Sequence, residues 1–240
     1  MMRPFASFKD AFPGVPYIKH YLPDNEYCKQ VVTGGFDRFM NHCTGGSSLK
    51  YLGGTGGIWD SDQQGPVATM FGIEKDGTLY QYFDEDYWAY ASGCGAAFDR
   101  KTIHCEMSNR AFIRKIDGQY YWQAGAKWVP YNDTPIHFAK GFMGYNYFDP
   151  YTPQQVETMA KLIAYCCYNH GIPLKFDHEI NFKGCIPNQK GILNHSRVSN
   201  QRADPGPAFP YKTCEILARE HFLNLCKKHG YPVYGEKPKN

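Results

Sequence analysis

Asn194-His195-Ser196-Arg197-Val198-Ser199-Asn200-Gln201-Arg202-Ala203-Asp204-Pro205-Gly206-Pro207-Ala208-Phe209 is the stretch on which the reading of this chain turns. Prolines on both sides of Gly206 lack an N–H donor and have a fixed φ. They exclude helix and central strand, and Asp204 is predicted on a rigid loop. A rigid carboxylate close in sequence to an imidazole supplies half of a zinc site. The candidate for the missing ligand lies far upstream, in Phe39-Met40-Asn41-His42-Cys43-Thr44-Gly45-Gly46, where an extended run ends at a histidine and opens into glycines. Catalytic zinc takes three protein ligands and keeps a fourth position for water.

Outward from these two segments, Phe36 to His42 reads as a strand. Period-two alternation puts Met40 and His42 on one face and Cys43 on the other, so Cys43 is a poor partner for His42 on one metal. Ile103 to Met107 reads as a buried strand with His104 and Glu106 on one face and Ile103, Cys105 and Met107 on the core face. Thr69 to Ile73 and Thr78 to Phe83 flank Asp76-Gly77, a dipeptide that favours a tight hairpin. Thr152-Pro153-Gln154-Gln155 opens a helix with an N-cap, a proline at the first position and a capping box. Val156, Met159, Ala160 and Ile163 then form an apolar stripe, and Gly171 ends the helix near residue 170. A last helix is expected over about 212–229, with Ala218, Phe222, Leu225 and Cys226 on one side and Gly230 as its cap.

In combination, the segment around His42, the Asn194-His195-Ser196 element and Asp204-Pro205-Gly206-Pro207 resemble the type 2 N-acetylmuramoyl-L-alanine amidases, relatives of peptidoglycan recognition proteins and of phage lysozyme-type amidases. Ile73-Glu74-Lys75-Asp76-Gly77-Thr78-Leu79-Tyr80-Gln81 is similar to the family's hairpin after the first ligand. Trp88-Ala89-Tyr90-Ala91-Ser92-Gly93 is similar to its Trp-His-x-Gly segment, with tyrosine in the histidine position. Thr102-Ile103-His104-Cys105-Glu106-Met107-Ser108-Asn109 resembles the strand that carries its catalytic glutamate. The matches run in order over roughly residues 35–230.

The resemblance implies a single-domain α/β fold, a central mixed β-sheet flanked by α-helices. Residues 1–35 form an N-terminal wrap, 36–230 a zinc-dependent amidase domain with an aromatic-rich insertion at 110–150, and 231–240 a C-terminal tail. Phe112 to Tyr151 holds twelve aromatic residues, which are expected mainly to pack together while a minority line a groove. Gly53-Gly54-Thr55-Gly56-Gly57 has no following Lys-Ser/Thr pair and reads as a flexible loop rather than a phosphate cradle.

The same resemblance assigns roles. His42, His195 and Asp204 are the expected Zn2+ ligands, aspartate standing where some members use cysteine. An isolated histidine more often satisfies a backbone carbonyl, but motif order favours ligation for these two. Glu106 is the expected general base, taking a proton from water and delivering it to the leaving amine. Arg202 stands two before the third ligand, where many members have lysine; it offers fixed charge to an oxyanion but no transferable proton. His104, Tyr90 and Trp88 are expected at the substrate; for His104 a place behind the metal ligands and a role as an aromatic filler beside the strand are the other readings. The remaining histidines, His20, His137, His170, His178, His221 and His229, read as structural or surface groups.

Composition narrows the class. Lys+Arg of 26 against Asp+Glu of 23, with no basic run, leaves no footprint for nucleic acid. No apolar run approaches membrane-spanning length, so stable membrane insertion is not expected. Nine cysteines, an odd number without a Cys-x-x-Cys pair, fit neither a closed disulfide framework nor a thiolate zinc knuckle. With no apolar secretion signal at Met1 to Ser7, they are expected reduced, in a chain made in a cytoplasm and acting on the wall after release. The expected reaction is hydrolysis of the amide joining N-acetylmuramic acid to L-alanine in peptidoglycan or a muropeptide, as in a phage endolysin or related lytic enzyme. The competing readings are a non-catalytic peptidoglycan-binding module and a zinc hydrolase of the same fold acting on another amide.

Overall fold

A computed structural model of the 240-residue chain describes residues 5–53, 57–61 and 65–229. Residues 1–4 of the expected N-terminal wrap, Gly54 to Gly56, residues 62–64, Gly230, expected as a helix cap, and the expected tail 231–240 lie outside the described residues.

In chain order the elements of the first part are α1 (Phe8–Ala11), β1 (Tyr17–Lys19), β2 (Arg38–Cys43), α2 (Ile58–Ser61), β3 (Phe71–Ile73), β4 (Leu79–Gln81), α3 (Ala96–Asp99) and β5 (Thr102–Met107). Then come β6 (Phe112–Ile116), β7 (Gln119–Ala124), β8 (Lys127–Pro130), β9 (Ile136–Phe142) and β10 (Tyr145–Phe148). The chain finishes with α4 (Pro153–His170), β11 (Gly191–Asn194), α5 (His195–Val198) and α6 (Tyr211–His229).

Six strands form one mixed sheet in the order β1-β4-β3-β5-β2-β11. Only the β3–β4 pair is antiparallel. Its connection shows what Asp76-Gly77 does: Gly77 adopts φ +87°, its N–H donates to Glu74 O at 2.9 Å, and Glu74 N donates to Thr78 O at 3.0 Å. The loop is one residue longer than a two-residue turn, with glycine in the conformation a three-residue loop requires.

Alternation along the central strands sorts the two faces. Phe39, Cys43, Ile103, Cys105 and Met107 enter the main core together with Val156, Met159, Ala160 and Ile163 of α4. α4 begins with the expected reciprocal cap: Gln155 N donates to Thr152 Oγ1 and Thr152 N donates to Gln155 Oε1, each at 3.1 Å. It ends at Gly171, φ +72°, where a left-handed residue satisfies the last carbonyls. α6 packs against α4 through Cys214, Ala218 and Leu225, completing a sheet–helix–helix stack. The opposite face carries His42, His104 and Glu106 beside a small apolar cluster of Met40, Phe98, Leu193 and Val198.

Residues 112–148 add something that composition did not predict: a second, wholly antiparallel sheet, ordered β8-β7-β6-β10-β9. Two of its turns explain it. Asp117 and Gly118 (φ +47° and +84°) and Met143 and Gly144 (φ +49° and +83°) form two-residue hairpin loops with both residues left-handed, which matches strand twist. The buried Asp149 ties this sheet to the first. Its carboxylate accepts from Tyr131 Oη at 2.8 Å, Lys75 Nζ at 2.7 Å and Arg110 N at 2.9 Å.

The cysteines correct the expectation of a fully reduced chain. Cys94 and Cys185 are joined by a disulfide with Cα atoms 5.8 Å apart. The partners are 91 residues apart on two loops, so only tertiary structure reveals the pair. The other seven cysteines are not part of a disulfide, and six of them are buried.

Candidate metal centre

The site is assembled from three places. His42 comes from the C-terminal end of β2, where a parallel sheet delivers side chains to one edge. His195 starts α5 directly after β11, the strand that pairs with β2. Asp204 comes from the proline loop, which is pinned on both sides: Tyr151 Oη donates to Pro205 O at 2.7 Å and Tyr211 Oη to Gly206 O at 2.9 Å. Ser196 N donates to Asp204 O at 2.9 Å, tying the loop to α5. Gly206 holds φ +76°, which suits glycine.

His42 Nδ1, His195 Nδ1 and Asp204 Oδ2 converge. The two nitrogens are 2.9 Å apart, and Asp204 Oδ2 lies 3.0 Å from His195 Nδ1 and 3.4 Å from His42 Nδ1. Tetrahedral zinc with bonds of about 2.0–2.1 Å separates its ligands by about 3.3 Å, so the donor set fits that ion with small adjustments. Two imidazole nitrogens and one carboxylate oxygen that converge in this way can share protons among themselves or offer three lone pairs to one ion. Burial lowers the pKa of His42 to about 3, with the neighbouring His195 acting in the same direction, so its lone pair is available. Burial opposes ionisation of Asp204, yet His195 and His42 pull its carboxyl below the usual range. Cys43 is turned into the core, where burial raises its thiol pKa and keeps it from acting as a thiolate ligand.

Glu106 is the register partner of His42 on β5. Burial raises its pKa well above 4.5, the Asp204 charge adds to this, and Arg202 acts in the opposite direction. A cavity of about 200 Å³ opens here, lined among others by His42, His195, Asp204, Glu106, Arg202 and Tyr90. A second cavity, about 310 Å³, shares Cys43, Thr44, Arg202 and Asp204 with it and has Arg110, Phe112 and Gln123 from the antiparallel-sheet region as its far wall. The aromatic insertion therefore borders the site. Only part of it does so: Phe112 stacks on Tyr145 with centroids 4.4 Å apart, and Arg114 lies 4.5 Å from the Trp128 ring centre.

Two of the residues expected at the substrate, Trp88 and His104, do not line either cavity. Trp88 is buried beneath Tyr90, their ring centroids 5.0 Å apart, with the Arg100 guanidinium 4.9 Å from the indole centre. It lines neither cavity and supports Tyr90, which does face the site. His104 is also buried and lines neither; it sits behind the ligands, its Nδ1 2.9 Å from His42 Nε2 and its Nε2 3.1 Å from Asp99 Oδ1. Sequence patterns carry no signal for Asp99, Tyr151 or Tyr211, which come from elements brought in by the fold. Of the other histidines, His170, His178 and His221 pair with Glu85, Glu215 and Glu157.

Comparison with solved structures places this geometry in context. AmpD, as a selenomethionine derivative, aligns with a TM-score of 0.50 and 14% identity over 85% of this chain and 93% of that one. AmiD from E. coli, in complex with anhydro-N-acetylmuramic acid-L-Ala-D-gamma-Glu-L-Lys, aligns with a TM-score of 0.48 and 16% identity over 79% and 61%. Staphylococcus aureus AmiA in complex with its ligand aligns with a TM-score of 0.45 and 13% identity over 97% of both chains. At these identities the likeness concerns fold alone. No curated protein matches the sequence. The Amidase_2 family model, described as N-acetylmuramoyl-L-alanine amidase, matches residues 34–207, a span that includes His42, Glu106, His195 and Asp204. With that match extending over most of its length, the chain belongs to the N-acetylmuramoyl-L-alanine amidase family and is an enzyme of that type.

Proposed function

We propose that the protein is a zinc-dependent amidase that hydrolyses the bond between N-acetylmuramic acid and L-alanine in peptidoglycan, as a cell-wall lytic enzyme of the endolysin kind. The observation that carries this reading is the convergence of His42 Nδ1, His195 Nδ1 and Asp204 Oδ2 beside Glu106. A zinc ion held by these three would lower the pKa of a water to about 7 and supply a nucleophile at neutral pH. Glu106, kept in a buried position, takes the proton from the attacking water and returns it to the leaving amine. Arg202, exposed at the junction of the two cavities, donates hydrogen bonds to the oxyanion that forms at the attacked carbonyl. Tyr90 forms part of the wall against which substrate rests.

The partner is peptidoglycan or a soluble muropeptide. No helix among the described residues is long and apolar enough to cross a membrane. The Cys94–Cys185 bond favours action in oxidising surroundings, such as the wall, over residence in a reducing cytoplasm. Digestion of purified sacculi followed by mass spectrometry tests the bond assignment. Release of stem peptides with a free N-terminal alanine supports it. Tight muropeptide binding without release would make the protein a recognition module, and cleavage elsewhere would assign it another amide.

A further inference from the structure

We propose that Asp99 and His104 form a positioning pair that fixes the tautomer and ring orientation of His42 for metal binding. The proposal rests on the zinc reading of the site but concerns residues that touch neither ion nor substrate. His104 lies 62 residues from His42 in sequence, yet its Nδ1 is 2.9 Å from His42 Nε2. On its other side, His104 Nε2 is 3.1 Å from Asp99 Oδ1. The three side chains are 3% (His42), 3% (His104) and 0% (Asp99) exposed, out of reach of bulk water.

Proton direction along the chain follows from Asp99. A neutral imidazole has one donor and one acceptor nitrogen, while an ionised carboxylate only accepts. Burial raises the pKa of Asp99, but His104 and Ser92, whose backbone N–H lies 3.2 Å from Asp99 Oδ1, bring it below the usual carboxylate value. With His104 neutral, an ionised Asp99 3.1 Å from its Nε2 favours the proton on that nitrogen by charge attraction. His104 Nδ1 is then an acceptor, the proton of His42 sits on Nε2, and His42 Nδ1 presents its lone pair toward His195 and Asp204. Without the pair, His42 could carry its proton on Nδ1 and donate it to Asp204 Oδ2, 3.4 Å away. That tautomer satisfies the buried groups and blocks the ligand position. Outer hydrogen bonds of this kind set ring orientation and ligand basicity at metal sites; here a second histidine is interposed between ligand and carboxylate.

Asp99 itself is held by the strands that carry the site. It ends α3, whose Phe98 O accepts from Thr102 Oγ1 of β5 at 2.8 Å and from Arg38 Nη1 of β2 at 3.3 Å. The Phe98 ring packs with Met40 and Leu193 of β2 and β11, and the Arg38 guanidinium lies 4.1 Å from its centre. The carboxylate is therefore referenced to the same strands as His42 and His195.

Two readouts test the pair. In the zinc-free protein labelled with 15N-histidine, long-range 1H–15N NMR is expected to show His42 protonated on Nε2. In zinc titrations against a chromophoric chelator, His104→Leu, which keeps bulk and removes the acceptor, is expected to weaken zinc about 10- to 100-fold. His104→Asn, whose amide oxygen can stand near the lost Nδ1, should recover part of that loss, and Asp99→Asn should weaken zinc less than His104→Leu. Thermal melting of the zinc-free variants separates orientation from simple packing. A lowered melting temperature with wild-type zinc affinity in His104→Leu would overturn the proposal, as would His42 protonated on Nδ1 in the wild type. If His104→Leu does not fold, Asp99→Asn decides: unchanged zinc affinity and an unchanged His42 tautomer overturn the pair. A wild-type protein that binds no zinc would refute the metal reading instead, and the His42 tautomer would still decide the pair.

Discussion

His42 and Glu106 are register partners on the adjacent parallel strands β2 and β5, both on the face turned away from the main core. Sheet geometry alone thus sets the imidazole proposed as a metal ligand beside a buried carboxylate, with no loop required to bring them together. The pairing predicts distinct consequences for the two residues, because a ligand is needed for the ion to stay and a base only for a proton to move.

Glu106→Gln preserves size and most polarity while removing the proposed base. Turnover of a muropeptide is expected to fall by about 10²- to 10⁴-fold, with zinc content unchanged. Parallel kinetics and metal analysis check this. Loss of zinc in step with activity would make Glu106 a structural support of the ligands.

The pH profile gives a second check. Burial and the Asp204 charge raise the Glu106 pKa above 4.5, which favours the neutral acid. A general base works ionised, so kcat/KM is expected to rise with pH through a midpoint above 4.5. Arg202 lowers that pKa, so Arg202→Ala should move the midpoint upward as well as reduce the plateau. A plateau lost with an unmoved midpoint would confine Arg202 to the oxyanion.

Tyr151 anchors the proline loop through its hydroxyl at Pro205 O, 2.7 Å away. Tyr151→Phe leaves that buried acceptor without its donor, at a cost of about 1–3 kcal/mol. Chemical denaturation should show the loss, and zinc affinity should weaken with it because Asp204 precedes Pro205. Unchanged stability and affinity would mean that Tyr211 and Ser196 hold the loop unaided.

Reduction of the Cys94–Cys185 bond releases a link between residues 91 apart. Chain entropy alone assigns it roughly 4–5 kcal/mol, or about 10 °C in melting temperature for a chain of this size. Scanning calorimetry with and without reductant, and of Cys94→Ala, measures the drop. No drop would show that each loop is held by its other contacts, such as Cys94 N to Ser92 Oγ at 3.0 Å on one and Arg197 Nη1 to Gly184 O at 2.8 Å on the other.

The sequence displayed the site more fully than the architecture around it. His42, His195 and Asp204 stand in recognisable local contexts, and strand alternation is enough to put Glu106 on the face of His42. The hairpin at Asp76-Gly77 and the α4 cap at Thr152 are written in neighbouring residues. The antiparallel sheet was legible only through turn chemistry: Asp117-Gly118 carries the hairpin pattern, but a count of rings from Phe112 to Tyr151 says nothing of pairing. Asp99 offers no local pattern, since its partner His104 reaches it only through the packing of α3 against β5. The Cys94–Cys185 bond is hidden for the same reason, its halves lying on loops that meet only when β2, β5 and β11 are assembled. Trp88 is expected at the substrate through the resemblance to a Trp-His-x-Gly segment, and a sequence segment of that kind does not show that the indole is buried.

The central claim is that His42, His195 and Asp204 hold one catalytic zinc. Its most direct test is stoichiometric zinc add-back to chelated protein, following release of free stem peptide from a muropeptide in the wild type and in His195→Ala. About one zinc per chain should restore release in the wild type, while His195→Ala stays inactive and binds the ion far more weakly. Full activity in the chelated wild type, or zinc bound by His195→Ala as tightly as by the wild type, would contradict the account.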